Sequence, residues 1–367
     1  MKRLVLVGGG HTHIEILRRW AIAPVPATEL VLVSPARDAP YSGMLPGLMA
    51  GHYRFRDAHI DLEALAHAAG ARFITTLAHG LEPAQRRLRL ADGAALPYDL
   101  VSLDAGSIPA GLETPGAATH AIALRPVAAL LSAWEDLRAR AQAGGLRRVV
   151  VVGGGAGGVE LLLAMQYRLA ALGVRFVAVF DTAEPLASHP ARVRARFTRV
   201  LAGRGVETYA GRRVAAVEAG AVVTESGQRI AADAIIWATG PAPAATWHNS
   251  GLALDDDGFL LVDAQLRSVS DTAVFATGDC ATLRGQRYPR SGVYAVRQGP
   301  VLAGNLRAAL TGGALADYVP QARALALIST GDRYAVASWG PLSFAGRWVW
   351  RWKDRIDRRF MSRYRCL

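Results

Sequence analysis

Only two cysteines, Cys280 and Cys366, occur in the 367 residues, and they form no C-x-x-C pair. This argues against a disulfide framework and against a sequence-local redox disulfide, and zinc-ligand spacing is missing too. A pair made through the fold stays open, and Cys280 alone reads as a buried small residue rather than a nucleophile. Lysine is nearly absent. Lys2 and Lys353 are the only two, so the formal charge of +12 rests on arginine. That balance favours anionic partners without choosing among small molecules, lipid headgroups and nucleic acid. No nucleic-acid-reading module accompanies it, so none is expected as a partner. No run reaches the roughly 18 uninterrupted apolar residues of a membrane-spanning helix. The start, MKRLVLVGGGHTH, lacks a signal-peptide pattern, because its apolar run is short and leads into glycines. These points suggest a cytoplasmic protein. Length allows two or three domains, and 51% hydrophobic residues are enough for substantial cores.

What is present is glycine placed between strands and helices. In 147-RRVVVVGGGAGGVELLLAMQYRLAALGVRFVAVFD-181 the pattern is strand, turn, helix, strand. Gly153, Gly155 and Gly158 satisfy G-x-G-x-x-G: one for the tight turn, one for backbone approach to a pyrophosphate, one for close helix–strand packing. The helix N-terminus then offers free N–H groups to phosphate. Asp181 closes the next strand and can accept from a ribose hydroxyl, which leans toward NAD over NADP. The plain alternative is a structural glycine turn.

The chain start repeats the theme less cleanly. Gly8 and Gly10 meet the first two requirements, but His13 replaces the packing glycine. The helix should therefore sit slightly farther from the strand, or turn that ring outward. The next strand, 29-ELVLVSP-35, ends in Ser34 rather than an acid, with Arg37 beyond it as a candidate contact for adenosine phosphate or ring. His11 and His13 suit backbone and packing roles better than a metal pair, and no metal is expected.

Three further apolar strands end in small-residue turns: Gly106 and Ser107 after 99-DLVSLDA-105, Gly240 after 233-DAIIWAT-239, and Gly278 with Asp279 after 272-TAVFAT-277. Small residues let the chain cross close to a cofactor. The Asp279 carboxylate can receive the hydroxyls of a sugar alcohol such as the ribityl chain of a flavin. A helix over 290–310 follows, and its positive end would favour an anionic reduced flavin. Tyr294 and Gln298 are candidates to reach the same region. The alternative is a set of tight turns.

In order, VGGGHTH, AGS, VVGGGAGGVE, WATG and TGDCA resemble the pyridine-nucleotide:flavin oxidoreductases. The chain is most similar to the NADH:quinone dehydrogenase and sulfide:quinone branch, and more narrowly to a group associated with selenophosphate synthetase. The narrower likeness rests on GGGHTHIEILRRWA, YSGMLPGLMAGHY, GVYAVRQGPVLAGNLRAAL, LISTGDRYAVASWG and WKDRIDRRFMSRY. The resemblance implies an α/β fold with two Rossmann-like dinucleotide-binding domains, one inserted into the other. Residues 1–118 and 236–328 would bind FAD, 119–235 would bind NAD(P)H, and 329–367 would form a C-terminal interface or docking segment. It implies hydride transfer from NAD(P)H, more readily NADH, through flavin to a quinone or other small acceptor. Glu160, Gln298 and Tyr294 are the candidate catalytic residues, with Glu160 and Gly240 near the nicotinamide. Met44 and Pro46 would contact the flavin from a helix-poor, glycine-punctuated loop. A functional link to selenophosphate synthetase is implied as well. Two alternatives stay open: a flavoenzyme acting on a small selenium or sulfur compound, and a non-enzymatic flavin-binding redox sensor. The cysteine pair of the disulfide reductases is missing from YSGMLPGLMAG.

The tail, 347-RWVWRWKDRIDRRFMSRYRCL-367, predicts a helix. Trp348, Trp352, Ile356, Phe360 and Tyr364 recur every four residues beside an arginine stripe. One interpretation is a peripheral helix on the inner face of an anionic membrane. The other packs the aromatics on the protein itself.

Overall fold

The structure is a computed structural model and describes residues 1–365. The strand β1 (Lys2–Val7) runs into α1 (His11–Ile22) and returns as β2 (Thr28–Ser34). A short helix, α2 (Leu45–Met49), precedes β3 (Arg72–Thr75) and β4 (Leu100–Leu103). The chain then builds a second sheet from β5 (Ile122–Ala123), α3 (Val127–Gln142), β6 (Arg148–Val152), α4 (Ala156–Leu169), β7 (Arg175–Phe180), β8 (Glu207–Ala210) and β9 (Ala234–Trp237). It comes back with β10 (Val274–Ala276) and α5 (Gly292–Thr311). An antiparallel sheet, β11 (Ala326–Ser329), β12 (Ala335–Trp339) and β13 (Leu342–Gly346), leads into α6 (Arg347–Ser362).

The first sheet has the order β10-β4-β1-β2-β3 and the second β5-β9-β6-β7-β8. Every pair in both is parallel. This is the expected α/β architecture, with one Rossmann-like sheet inserted in the chain of the other. Leu4–Val7 and Val149–Val152 are buried, as unbroken apolar strands covered on both faces must be. In each sheet the strand order reverses at the strand that leads into the glycine turn, β1 or β6. Ligand crevices form at such points, outside the carboxyl ends of the strands. The turns at Gly8, Asp104 and Thr277 therefore come together at one crevice, and those at Gly153 and Ala238 at the other. Strand β9 runs past the boundary expected at residue 235.

Two local expectations are corrected. The segment after Tyr41 is not an open loop: a 3-10 turn, Ser42–Met44, continues directly into α2. Pro46 occupies the first turn of α2, where a missing N–H removes no helical bond. Leu45 and Met49 then anchor it in the core around the second sheet. In α6 the four-residue stripe does not share one environment. Trp348, Trp352 and Ile356 are 54%, 40% and 41% exposed, whereas Phe360 and Tyr364 are 7% and 8% exposed. Each step of four residues advances about 40° around a 3.6-residue helix, so the stripe rotates from solvent into the protein. The buried face carries Val349, Lys353, Asp357, Phe360 and Met361 instead.

Candidate dinucleotide sites

Gly8 leaves β1 at φ +95°, a conformation that favours glycine, and a Cβ there would strike the Asp104 carbonyl. His13 does not turn outward. Its ring is fully buried, with Nδ1 at 2.7 Å from the Gly8 carbonyl and Nε2 at 2.9 Å from the Ser102 hydroxyl. The imidazole ties the turn to β4 where a glycine would only have made room. Burial lowers its pKa. Asp104, at the end of β4, accepts from the Thr12 N–H at 2.9 Å and from the Thr12 hydroxyl. Its carboxylate fills the space that a side chain at Gly10 or Gly278 would need. Gly9, Gly10 and His11 lie at a helix end whose Thr12 N–H is taken by the buried Asp104 carboxylate.

Around this turn the candidate residues converge. Gly278, at φ +66°, donates its N–H to Gln298 Oε1 at 2.8 Å. Gln298 Nε2 donates to the Tyr288 hydroxyl at 2.9 Å, and Tyr288 stacks on Tyr294 at 4.9 Å. Gln298 and Tyr294 are buried supports of the Gly278 turn. Asp279 pairs with Arg125 at 2.9 Å, and Arg125 also donates to the Ser107 hydroxyl. No Cβ contact is found at Gly106, where space is open. The His11 ring lies 5.6 Å from Tyr41, and its buried Nε2 has no hydrogen-bond partner among the described residues. Burial lowers its pKa, opposed by the charges of Asp104 and Asp279. Ser34 spends its hydroxyl on the Ala36 carbonyl at 3.1 Å. Arg37 is held by Asp61 and Glu63 at 3.2 and 3.0 Å, which neutralises the charge expected to meet adenosine. It lines a cavity of about 800 Å³ with Pro40, Leu48 and Val127. Met44 belongs to the core, and Pro46 is buried too.

The second turn is simpler. Gly153 sits at φ +127° and packs on the Ala238 carbonyl, and a Cβ at Gly158 would meet the Gly153 carbonyl at 2.7 Å. In front of Gly155 and Gly240 nothing lies within 4 Å. Both line a cavity of about 630 Å³ with Gly153, Asp181, Thr239 and Arg212.

Glu160 is not in that cavity lining. It lies beyond the first turn of α4, is half-buried, and accepts the Ser329 N–H at 2.7 Å. Burial raises its pKa, and the Lys353 charge opposes the rise. Lys353 reaches in from α6, bonding Asp357 at 2.7 Å and the Gly43 carbonyl. Burial, and then the Asp357 charge, pushes the Tyr41 hydroxyl up. Three parts of the chain thus meet around the buried Lys353–Asp357 pair. Asp104, Arg125, Lys353 and Asp357 were not singled out from sequence as site residues. The one signal available was the rarity of lysine.

The model of the family described as pyridine nucleotide-disulphide oxidoreductase matches residues 2–299. The chain belongs to that family. An NADH dehydrogenase-like protein of Mycobacterium tuberculosis is 29% identical over 304 residues, covering 77% of this chain and 74% of the relative. The sulfide:quinone oxidoreductase structure from Aquifex aeolicus superposes with a TM-score of 0.81 at 16% identity, covering 100% of this chain and 92% of that one. NDH2 of Plasmodium falciparum in complex with NADH gives 0.82 at 12% identity, covering 99% and 97%. These two structures establish likeness of fold.

As a member of this family the chain is an FAD- and NAD(P)H-dependent oxidoreductase. Its residues fit both cofactors. The second glycine turn faces open space, and the first has a helix end, an unpartnered buried His11 nitrogen and a carboxylate at Asp279 around it. Among the described residues Cys280 is a free thiol. Cys280 is buried, burial pushes its thiol up to about 12, and Cys366 lies outside the described residues.

Proposed function

We propose that the protein takes hydride from NADH and delivers two electrons to a quinone at a membrane surface. FAD would lie across the first crevice and NADH in the second. Bound there, the flavin supplies the two-electron chemistry. The residues present do the rest. The N–H groups at Gly9, Gly10 and His11 would receive the pyrophosphate. Asp279 would accept ribityl hydroxyls, with Arg125 fixing its orientation, and Ser34 would lie at the adenosine end. Gln298 and Tyr294 hold the Gly278 turn. Gly153, Gly155 and Gly158 admit the nicotinamide dinucleotide, Asp181 accepts from its ribose, and Gly240 leaves space beside it. Glu160 holds a proton more readily than an ordinary carboxyl, next to Lys353, where an acceptor gaining electrons also needs protons.

The observation that carries the acceptor is α6. Its outer side presents Trp348, Trp352 and Ile356, with Phe344 and Leu342 of β13 beside them, all at least 40% exposed. Arg347, Arg351 and Arg355 share the helix. Aromatic and arginine side chains so arranged suit an anionic lipid interface. Its inner side reaches the Glu160 cluster. Its Phe360 stacks on Tyr41 at 4.5 Å and lies 6.1 Å from the His11 ring, so one helix would join a lipid-facing surface to the first crevice. No helix of the described residues is long and apolar enough to cross a membrane; the contact proposed for α6 is peripheral. Neither the described site nor the relatives above bear on a selenophosphate synthetase link.

The test is NADH oxidation by FAD-loaded protein with a lipophilic quinone in anionic vesicles. Turnover should exceed that with neutral vesicles and fall with salt. Turnover with a ferredoxin-type protein and none with any quinone would overturn the proposal.

A further inference from the structure

The adenosine end of the second cavity holds more than the strand-end acid. The Arg212 N–H bonds the Phe180 carbonyl at 2.9 Å, and the Gly211 N–H bonds the Thr182 carbonyl at 2.8 Å. These two bonds clamp the turn after β8 around Asp181, which lies between Phe180 and Thr182. Arg212 and Arg213 are consequently placed beside Asp181, and all three line the same cavity. All three are exposed. Asp181 forms no ion pair with either arginine among the described residues. Arg213 has only Glu225 at 3.9 Å, and that pair is 69% and 63% exposed. Arg212 has no carboxylate partner among the described residues. The local balance is one carboxylate against two guanidinium groups.

A lone acid at this strand end accepts from ribose hydroxyls and repels a 2′-phosphate. Two adjacent guanidinium groups reverse that balance, because their planar donor forks match phosphate oxygens bidentately. We propose that this cavity accepts NADPH as well as NADH, with Arg212 and Arg213 receiving the 2′-phosphate beside Asp181. The inference rests on the cavity being the nicotinamide nucleotide site, and it modifies the preference that Asp181 alone suggests.

The test uses the full-length, FAD-loaded protein and two probes, adenosine 2′,5′-bisphosphate and AMP, titrated calorimetrically at fixed ionic strength. The wild type should bind the bisphosphate more tightly. Replacing both arginines, Arg212→Ala with Arg213→Ala, should weaken the bisphosphate roughly 10-fold or more, as expected for losing charged hydrogen bonds. AMP should change less than about threefold, since it lacks the group they receive. Arg212→Lys should lie between, because charge remains and the fork is lost. Anaerobic flavin bleaching should show the same loss for NADPH and not for NADH. Equal binding of the two probes by the wild type, or an equal loss of both in the double variant, would overturn the inference. If AMP binds and NADH bleaches the flavin in either case, the site assignment survives and only the 2′-phosphate role fails. If neither happens, the site assignment itself fails.

Discussion

Replacing Lys353 with Met removes one of two lysines and leaves its neighbours buried. The Lys353 and Asp357 side chains are 11% and 6% exposed, and their charged atoms are 2.7 Å apart. The ammonium also satisfies the Gly43 carbonyl. Met fills the volume of the stem, so lost packing is small. Most of the destabilisation comes from the stranded Asp357 carboxylate, and breaking a buried pair from one side costs about 3–5 kcal/mol. A surface i,i+4 pair would cost only about 0.3–0.5 kcal/mol. Those ranges do not overlap, so the measured loss distinguishes a buried pair from a surface one. The combined Lys353→Met, Asp357→Leu variant should recover most of the loss, because a buried pair replaced by apolar groups is often neutral. The assay is native-state hydrogen exchange of the α6 amides, supported by urea midpoints. Loss of protection in Lys353→Met and its return in the double variant is the expected result. A single variant costing less than about 1 kcal/mol would show that α6 lies on the surface and that the cluster with Glu160 does not hold it.

Asp279→Ala should weaken FAD retention by roughly 10-fold or more, as a charge-assisted hydrogen bond to a sugar hydroxyl is lost, measured by cofactor release on dilution. Unchanged retention would remove Asp279 from the ribityl role. Burial lowers the pKa values of His11, His13, His52, His59 and His189 below the ordinary 6.5. The unfolded chain therefore takes up protons first as pH falls. Stability from these groups is complete above 6.5 and declines below it, by about 1.4 kcal/mol per pH unit for each group still neutral in the folded state. Glu160, raised by burial, works in the opposite direction, but it is one group against five. Urea midpoints should drop between about pH 7.5 and pH 5.5, and a rise would contradict the burial argument. Trp348→Ala with Trp352→Ala should reduce co-sedimentation with anionic vesicles while leaving NADH bleaching intact. Unchanged sedimentation would refute a lipid-facing α6.

The two parallel sheets were legible because unbroken apolar strands ran into glycine turns, twice, at separations that admit a helix. At the second turn the pattern is local, and Gly153 and Gly158 take the turn and packing positions that G-x-G-x-x-G implies. The first was read in part. His13 at the packing position looked like a loss, because its partners, Gly8 and Ser102, are 5 and 89 residues away. Only the folded sheet shows that the ring bridges them. Arg37 looked available because nothing local revealed Asp61 and Glu63. The segment after Tyr41 reads as a loop because its glycines outweigh the single first-turn signal of Pro46. The α6 stripe followed a period of four, and drift against the true helical period hid the buried face built on Lys353 and Asp357. For His13, Arg37 and the α6 stripe the deciding contact is distant in sequence or depends on accumulated rotation.

The most direct measurement is anaerobic stopped-flow reduction of the FAD-loaded protein by NADH, compared with a Gly155→Val variant. Gly155 faces open space at the second turn, so valine there should obstruct the dinucleotide and leave the first crevice untouched. Rapid flavin bleaching is expected in the wild type. The variant should keep its flavin but bleach slowly at every NADH concentration tested. A variant that loses FAD would reverse the assignment of the two crevices, and a wild type that bleaches with neither NADH nor NADPH would contradict the central claim.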